Sequence, residues 1–351
     1  MAMIATFFSS FLGTTLLGFF FAVCVIVLQA NKIKLTAMQF FGFLLLGIYM
    51  FLLYFLSNDY VVVLKNFRFW LGVVFYLIYL KVYPEDRVLS KTFFRIVCFS
   101  ILLETFLINT IIPAPIFYSG HPHAVKFLFY YRPLSFGGNA SMSSAALVCL
   151  YMMIEMYGNV RFGIKDKLLL FLITFLFFSG SGLMCYLLMI LLKNVLGRKL
   201  KTKKGMYTIL FSLVFLLILL IIMMNLDYEL FPKFSLDYYW FLLDFKIEQY
   251  NEVVDFSNAV KVFFGAQITD LLENTTGDFG WLGFVSAMGL LGLFIYFFIL
   301  FSFYRKNIFR NSVYLILFIA TFHYPAGMSG AGQFITAFIC VSKRKRLEEG
   351  I

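Results

Sequence analysis

Residues 168–194 read LLLFLITFLFFSGSGLMCYLLMILLKN. The run is long enough for one membrane-crossing helix, which needs about 20 apolar residues. The interruption Ser179-Gly180-Ser181-Gly182 opens a second reading, a hairpin of two short helices over about 168–178 and 182–197. Charge decides between them. The block RFGIKDK (161–167) precedes the run, and the stronger block KNVLGRKLKTKKG (193–205) follows it. Lysine and arginine collect on the cytoplasmic side of membrane spans. A single span strands one block on the wrong side, whereas a hairpin keeps both together. The hairpin is therefore expected, and it sets the parity of crossings for the whole chain.

Composition supplies the setting. The chain has 351 residues, 62% of them hydrophobic and 13% charged, with a mean hydropathy of +0.89. A soluble domain is about half apolar and about a quarter charged, so the expected solvent is a bilayer. The roughly ten-residue alternation of a membrane barrel is absent. The expected fold is an all-α polytopic membrane protein with about eleven transmembrane segments. They fall near 4–28, 38–56, 67–83, 93–112, 140–157, 168–178, 182–197, 206–226, 281–304, 312–324 and 328–341. The pairs 168–197 and 312–341 are short and read as tight hairpins or as pairs of tilted or partly re-entrant segments. The first run lacks a basic flank before it and reads as a span, not a cleavable leader. Lys32 and Lys34, the two blocks above, YRKNIFRN and SKRKRLEEG all fall in the cytoplasm if the N-terminus is outside and the C-terminus inside.

Because its basic residues sit in blocks beside apolar spans, the net charge of +11 reads as topology, not as a nucleic-acid surface. Cys24, Cys98, Cys149, Cys185 and Cys340 lie in apolar runs without metal-ligand spacing. No phosphate-binding loop, dinucleotide fingerprint or metal cluster is present, which argues against a pump or a metal-dependent hydrolase. The expected organisation is a single membrane domain, 1–351, enclosing a large outer loop at 227–280. That loop holds ten of the eighteen carboxylates and only three lysines. A loop of this length is usually functional, and its middle has the helical period of short amphipathic surface helices.

Several segments carry chemistry. YYRPLSFGGNASMSS (130–144) sets Arg132 just before a helix start, with Gly137 and Gly138 and with Asn139 or Ser141 as natural caps. A helix N-terminus attracts anions, and an arginine fork matches phosphate oxygens. The segment reads as a pyrophosphate seat, or as a capped helix with a snorkelling arginine. Ser181 begins a second such helix, unless the SGSG break is a close-packing turn. Asp270, Glu273 and Asp278 cluster at the end of the large loop, as candidate bases or as a solvated acidic turn. His323, at the tip of the last hairpin, suits proton transfer near neutral pH or a structural hydrogen bond. All three histidines, His121, His123 and His323, face outward in this topology. Glu104 lies inside the fourth span, where a carboxylate is costly and suspect.

In order and spacing, three of these pieces resemble the Wzy-type O-antigen polymerases, within the wider O-antigen ligase/polymerase superfamily. The pieces are RPLSFGGNASMSSAAL, FFSGSGLMCYLLMILL, and FFGAQITD running through TTGDFGWLGFVSAMGLLGLF; the likeness covers about 110–340. The chain departs from the related ligases in three ways. Asp278 stands about where they carry a histidine, Ser181 is followed by glycine instead of arginine, and the large loop has no arginine.

The resemblance implies a metal-independent glycosyltransferase without a cofactor, in a bacterial inner membrane. It would transfer a growing polysaccharide from undecaprenyl diphosphate to a lipid-linked repeat unit on the periplasmic face. Arg132, Gly138, Asn139, Ser141 and Ser181 would hold pyrophosphate. Asp278, or else His323, Glu273 or Asp270, would take the acceptor proton. Lys246 or Lys261 would stand in for the missing loop arginine, and Tyr239 and Trp240 would stack on sugar faces or anchor at the membrane interface. Partners would be the lipid-linked oligosaccharide and polysaccharide, membrane lipids and a chain-length regulator, with no nucleic acid. The rival readings are an O-antigen ligase, a lipid-linked oligosaccharide flippase and a non-catalytic polysaccharide-binding subunit.

Overall fold

The computed structural model describes residues 2–8, 17–57, 60–83, 89–112, 126–127, 130–135, 139–158, 160–196, 257–265, 280–304 and 308–342, with isolated helical residues between 214 and 248. The described chain is almost entirely helical. Its helices are α1 (Ala2–Phe8), α2 (Leu17–Leu28), α3 (Ala37–Ser57), α4 (Tyr60–Val82), α5 (Lys91–Phe106), α6 (Ala140–Tyr157), α7 (Ile164–Leu176), α8 (Gly180–Leu196), α9 (Ala259–Phe264), α10 (Gly280–Phe303), α11 (Ser312–His323) and α12 (Gly330–Val341). A two-stranded antiparallel ribbon pairs β1 (Lys126–Phe127) with β2 (Tyr130–Tyr131). Four stretches, 37–56, 91–111, 140–157 and 280–303, are long and apolar enough to cross a membrane.

At the centre stands α6, with 89% of its length buried. Its sequence is apolar or small on every side, and a helix without a polar face belongs in the middle of a bundle. Serines and alanines at 140–146 let neighbours approach its first turns closely. By contrast, α3 exposes Phe40, Phe41, Leu44, Ile48, Phe51 and Phe55. A soluble monomer rarely presents so large an apolar patch.

The helices alternate in direction, so the bundle has two distinct ends. At one end α6 finishes beside Leu89, where a Cβ on Gly158 would lie 2.6 Å from the Leu89 carbonyl. Nearby, Arg95 Nε donates to Asp166 Oδ1 at 2.7 Å, and Lys193 pairs with Glu155 while lying 4.4 Å from the Tyr151 ring centre. There too Asn311 Nδ2 donates to the Tyr157 hydroxyl at 2.7 Å. Lys81 Nζ donates to Gln39 Oε1 at 2.5 Å, joining the end of α4 to the start of α3. The opposite end holds the start of α6, the α7–α8 turn and the α11–α12 turn. There a Cβ on Gly280 would lie 2.4 Å from the Thr321 carbonyl and 2.8 Å from Pro325 Cα.

Both expected hairpins form. α7 and α8 are joined through Phe177, Phe178 and Ser179, with Phe178 at φ 42°. α11 and α12 are joined by a short 3-10 turn at Ala326–Met328. The segment expected at 206–226 lies almost wholly outside the described residues; Val214, Ile218 and Ile221 within it are helical and exposed.

Two expected spans are not continuous helices. The run 4–28 is divided: a Cβ on Gly18 would lie 2.1 Å from Thr6 Oγ1, whereas twelve residues of one helix would separate them by about 18 Å. The Thr6 hydroxyl also bonds the Tyr76 hydroxyl at 2.7 Å, so the first run folds into two short helices packed side by side. The run 281–304 is broken at Gly289, with φ 64° and ψ 178°. Here the large loop docks. Gly265, at φ 90°, lies so close that a Cβ on it would be 2.7 Å from Gly289 N, and a Cβ on Gly289 would be 2.3 Å from the Phe263 carbonyl. The Tyr49 hydroxyl donates to the Phe264 carbonyl at 3.0 Å and to the Met288 carbonyl. Irregular backbone at membrane depth persists only where protein supplies such partners. Tyr49→Phe leaves both carbonyls without this donor and is expected to cost about 1–3 kcal/mol. The check is thermal unfolding in detergent; a melting temperature equal to that of the parent protein would show that the hydroxyl contributes nothing.

Candidate functional site

The site grows from the start of α6. Asn139 adopts an extended conformation (φ −149°, ψ 137°) and its Oδ1 accepts from Ser141 N at 2.8 Å, which fixes the N-terminus of the helix. The Ser141 hydroxyl then bonds the Ser179 hydroxyl at 2.8 Å, and Ser179 bonds the Ser181 hydroxyl at 2.9 Å. Ser179 Oγ also accepts from Gly182 N at 3.3 Å, so Ser179 caps α8. Two helix N-termini, 38 residues apart in sequence, thus meet through a chain of three hydroxyls. Gly182 makes the approach possible, since a Cβ there would lie 2.2 Å from Ser144 Oγ.

Arg132 completes the arrangement. It is half-buried, and its guanidinium donates to the Phe178 carbonyl at 3.4 Å, in the turn that leads into α8. The ring of Tyr130 meets the ring of Phe178 edge-on, with centroids 5.4 Å apart. Burial pushes the Tyr130 phenol up to about 12, so it stays neutral. The site therefore unites a permanent cation, two helix N-termini and three hydroxyls, which together favour an anion with several oxygens.

The structure places Arg132, Asn139, Ser141 and Ser181 around the same turn. His323 ends α11 and is exposed, with its ring centre 4.4 Å from that of Tyr324. Its depth follows from helix geometry. Cys149 Sγ reaches the Val313 carbonyl at 3.7 Å. From Val313 to His323, and from Cys149 back to Asn139, each helix rises about 15 Å. His323 thus lies at the level of the Asn139 cap. Gly138, Lys246, Tyr239, Asp270, Glu273 and Asp278 lie outside the described residues, as do His121 and His123. Lys261 is exposed on α9, where its backbone N–H is capped by Asn258 Oδ1 at 3.2 Å. Trp240 is exposed too. The described residues between Asp237 and Glu248 are helical and exposed.

Three contributors were not among the expected site residues. Ser179 carries the bridge between the helices, and the Ser-Gly alternation was its only signal. Glu104 was suspect in sequence but had no visible partner. Asn109 was hidden in an apolar run. No protein-family model, curated protein or solved structure matches the chain, so its own geometry carries the functional argument.

Proposed function

We propose that the protein is a polysaccharide polymerase of the bacterial inner membrane, of the Wzy type. In this reading it crosses the bilayer several times, with the C-terminus cytoplasmic. It moves a growing glycan from undecaprenyl diphosphate to the end sugar of a new lipid-linked repeat unit. The exposed apolar face of α3 supports lipid contact. The placement of basic residues supports the orientation. Lys32 and Lys34 follow α2, Arg161, Lys165 and Lys167 flank the α6–α7 turn, and Lys193 ends α8. All stand at the end opposite Arg132, and by the distribution of basic residues that end is cytoplasmic.

The observation that carries the reading is the meeting of Arg132 with the two helix N-termini. The donor's leaving group is a pyrophosphate, so the enzyme's main tasks are to hold that anion and to orient the acceptor. The bond between the anomeric carbon and the phosphate oxygen breaks, and a glycosidic bond to the acceptor hydroxyl forms. The hydroxyl proton passes to His323 or to a carboxylate of 270–278. The pyrophosphate departs still attached to its lipid, so the reaction needs no cofactor. A chain-length regulator would be an additional protein partner.

Deleting the gene from a bacterium that carries it and makes smooth lipopolysaccharide tests the reading. Loss of the polymerase is expected to leave lipid A–core bearing one repeat unit. Loss of a ligase or a flippase would leave none. A ladder that persists unchanged rejects the polymerase.

A further inference from the structure

The segment that carries Arg132 is held from both sides by α5 and its continuation. Past Phe106 the helix widens into a π-helical turn, Leu107–Ile111; such turns are frequent at functional sites. Asn109 in this turn donates from Nδ2 to the Tyr131 carbonyl at 2.9 Å and accepts from Tyr131 N at 2.8 Å. That two-way amide pair fixes the residue before Arg132. Glu104 fixes the residues after it. Its Oε1 accepts from Leu134 N and Ser135 N, each at 3.0 Å, and its Oε2 accepts from the Ser135 hydroxyl at 2.6 Å. Ser135 is held at φ 49°, a left-handed conformation that an ordinary residue adopts only when its surroundings impose it. The Ser143 hydroxyl donates to the Leu134 carbonyl, tying the same segment to α6.

Glu104 is 2% exposed. A carboxylate inside an apolar bundle is costly, and here one oxygen holds two backbone N–H groups while the other holds the Ser135 hydroxyl. We propose that Glu104 and Asn109 are positioning residues that clamp the chain on either side of Arg132 and so aim its guanidinium at the paired helix N-termini. This inference rests on the pyrophosphate reading of Arg132.

The sign of one measurement separates positioning from simple electrostatics. Glu104→Gln removes a carboxylate bonded to the backbone two and three residues after Arg132 (a change that by charge alone would tighten anion binding). Positioning predicts the reverse. In the full-length, detergent-solubilised protein, Glu104→Gln and the exposed-site variant Asn109→Ala are each expected to weaken undecaprenyl diphosphate binding by about tenfold. Binding of the uncharged lipid undecaprenol should be unchanged. Glu104→Gln combined with Arg132→Ala should bind no worse than Arg132→Ala alone.

Tighter or unaltered diphosphate binding in Glu104→Gln overturns the proposal. So does an equal loss for both lipids, or a multiplicative loss in the double variant. A second arm needs no ligand: modification of Arg132→Cys by a water-soluble maleimide should quicken about tenfold when Glu104→Gln is added, by the same loss of hydrogen bonds. An unchanged rate rejects the clamp. If the parent protein fails to bind undecaprenyl diphosphate while the labelling rate rises, the clamp stands and the pyrophosphate reading falls.

Discussion

Arg132→Ala is expected to lower chain polymerisation by about 100- to 1,000-fold, the usual cost of removing one preorganised donor from a developing anion. The protein should still insert and fold. Its side chain is half-buried, and its bond to the Phe178 carbonyl is long, at 3.4 Å. The two helices it faces are capped independently by Asn139 and Ser179. The loss should therefore appear in activity and not in melting temperature. Arg132→Lys should recover part of the rate, because lysine keeps the charge but lacks the planar fork that spans two phosphate oxygens. The measurement is the length distribution of lipopolysaccharide in cells whose only copy is the variant, with protein abundance checked in the membrane fraction. Near-normal chains at normal abundance would remove Arg132 from the pyrophosphate role. Equal activity of the lysine and alanine variants would show that neither charge nor geometry at this position matters.

The second large effect is expected at Gly289, and it is a loss of fold. The residue sits at φ 64°, where a β-branched side chain is a genuine outlier. A Cβ there would lie 2.3 Å from the Phe263 carbonyl and 2.5 Å from Gly265 N. Both obstacles are backbone, so no rotamer change relieves them. Strain of about 1–3 kcal/mol and overpacking of about 1–3 kcal/mol together consume much of a typical stability of about 5–15 kcal/mol. Gly289→Val should therefore give little folded protein in the membrane, and Gly289→Ala should err in the same direction by less. Gly47 is the control. Nothing lies within 4 Å of a Cβ built there, and alanine is the better helix former by about 1 kcal/mol. Gly47→Ala should melt no lower than the parent. A Gly289→Val protein with parental abundance and melting temperature would show that the break in α10 is not needed.

Gly289 also joins the large loop to the bundle. The contact with Gly265 and the Tyr49 hydroxyl hold α9 against the break, so a substitution that closes the break displaces α9. Activity and stability should fall together at Gly289, whereas at Arg132 they should separate. That contrast is a useful internal check on the assignment of Arg132 to chemistry.

Much of the architecture was legible from residues close together in the chain. The SGSG interruption between two basic blocks specified the α7–α8 hairpin. Asn139 announced a helix start that the structure confirms, accepting a backbone N–H at its own N-terminus. The apolar run 140–157 foretold a helix. These signals are local, because a cap, a turn or an apolar run acts over a few residues. The division of the first run, the break at Gly289 and the partner of Glu104 were not legible. Gly265 supports Gly289 from 24 residues away, Ser135 meets Glu104 across 31, and Tyr49 reaches Met288 across 239. The sequence by itself determined which stretches are helical, which turn back, and which residues suit an anion. Only the tertiary structure decided that Arg132 and the two helix starts converge and that Glu104 and Asn109 hold them there. Those contacts satisfy buried backbone groups with donors and acceptors far along the chain, and such a pairing is fixed by packing in space, not by neighbours in sequence.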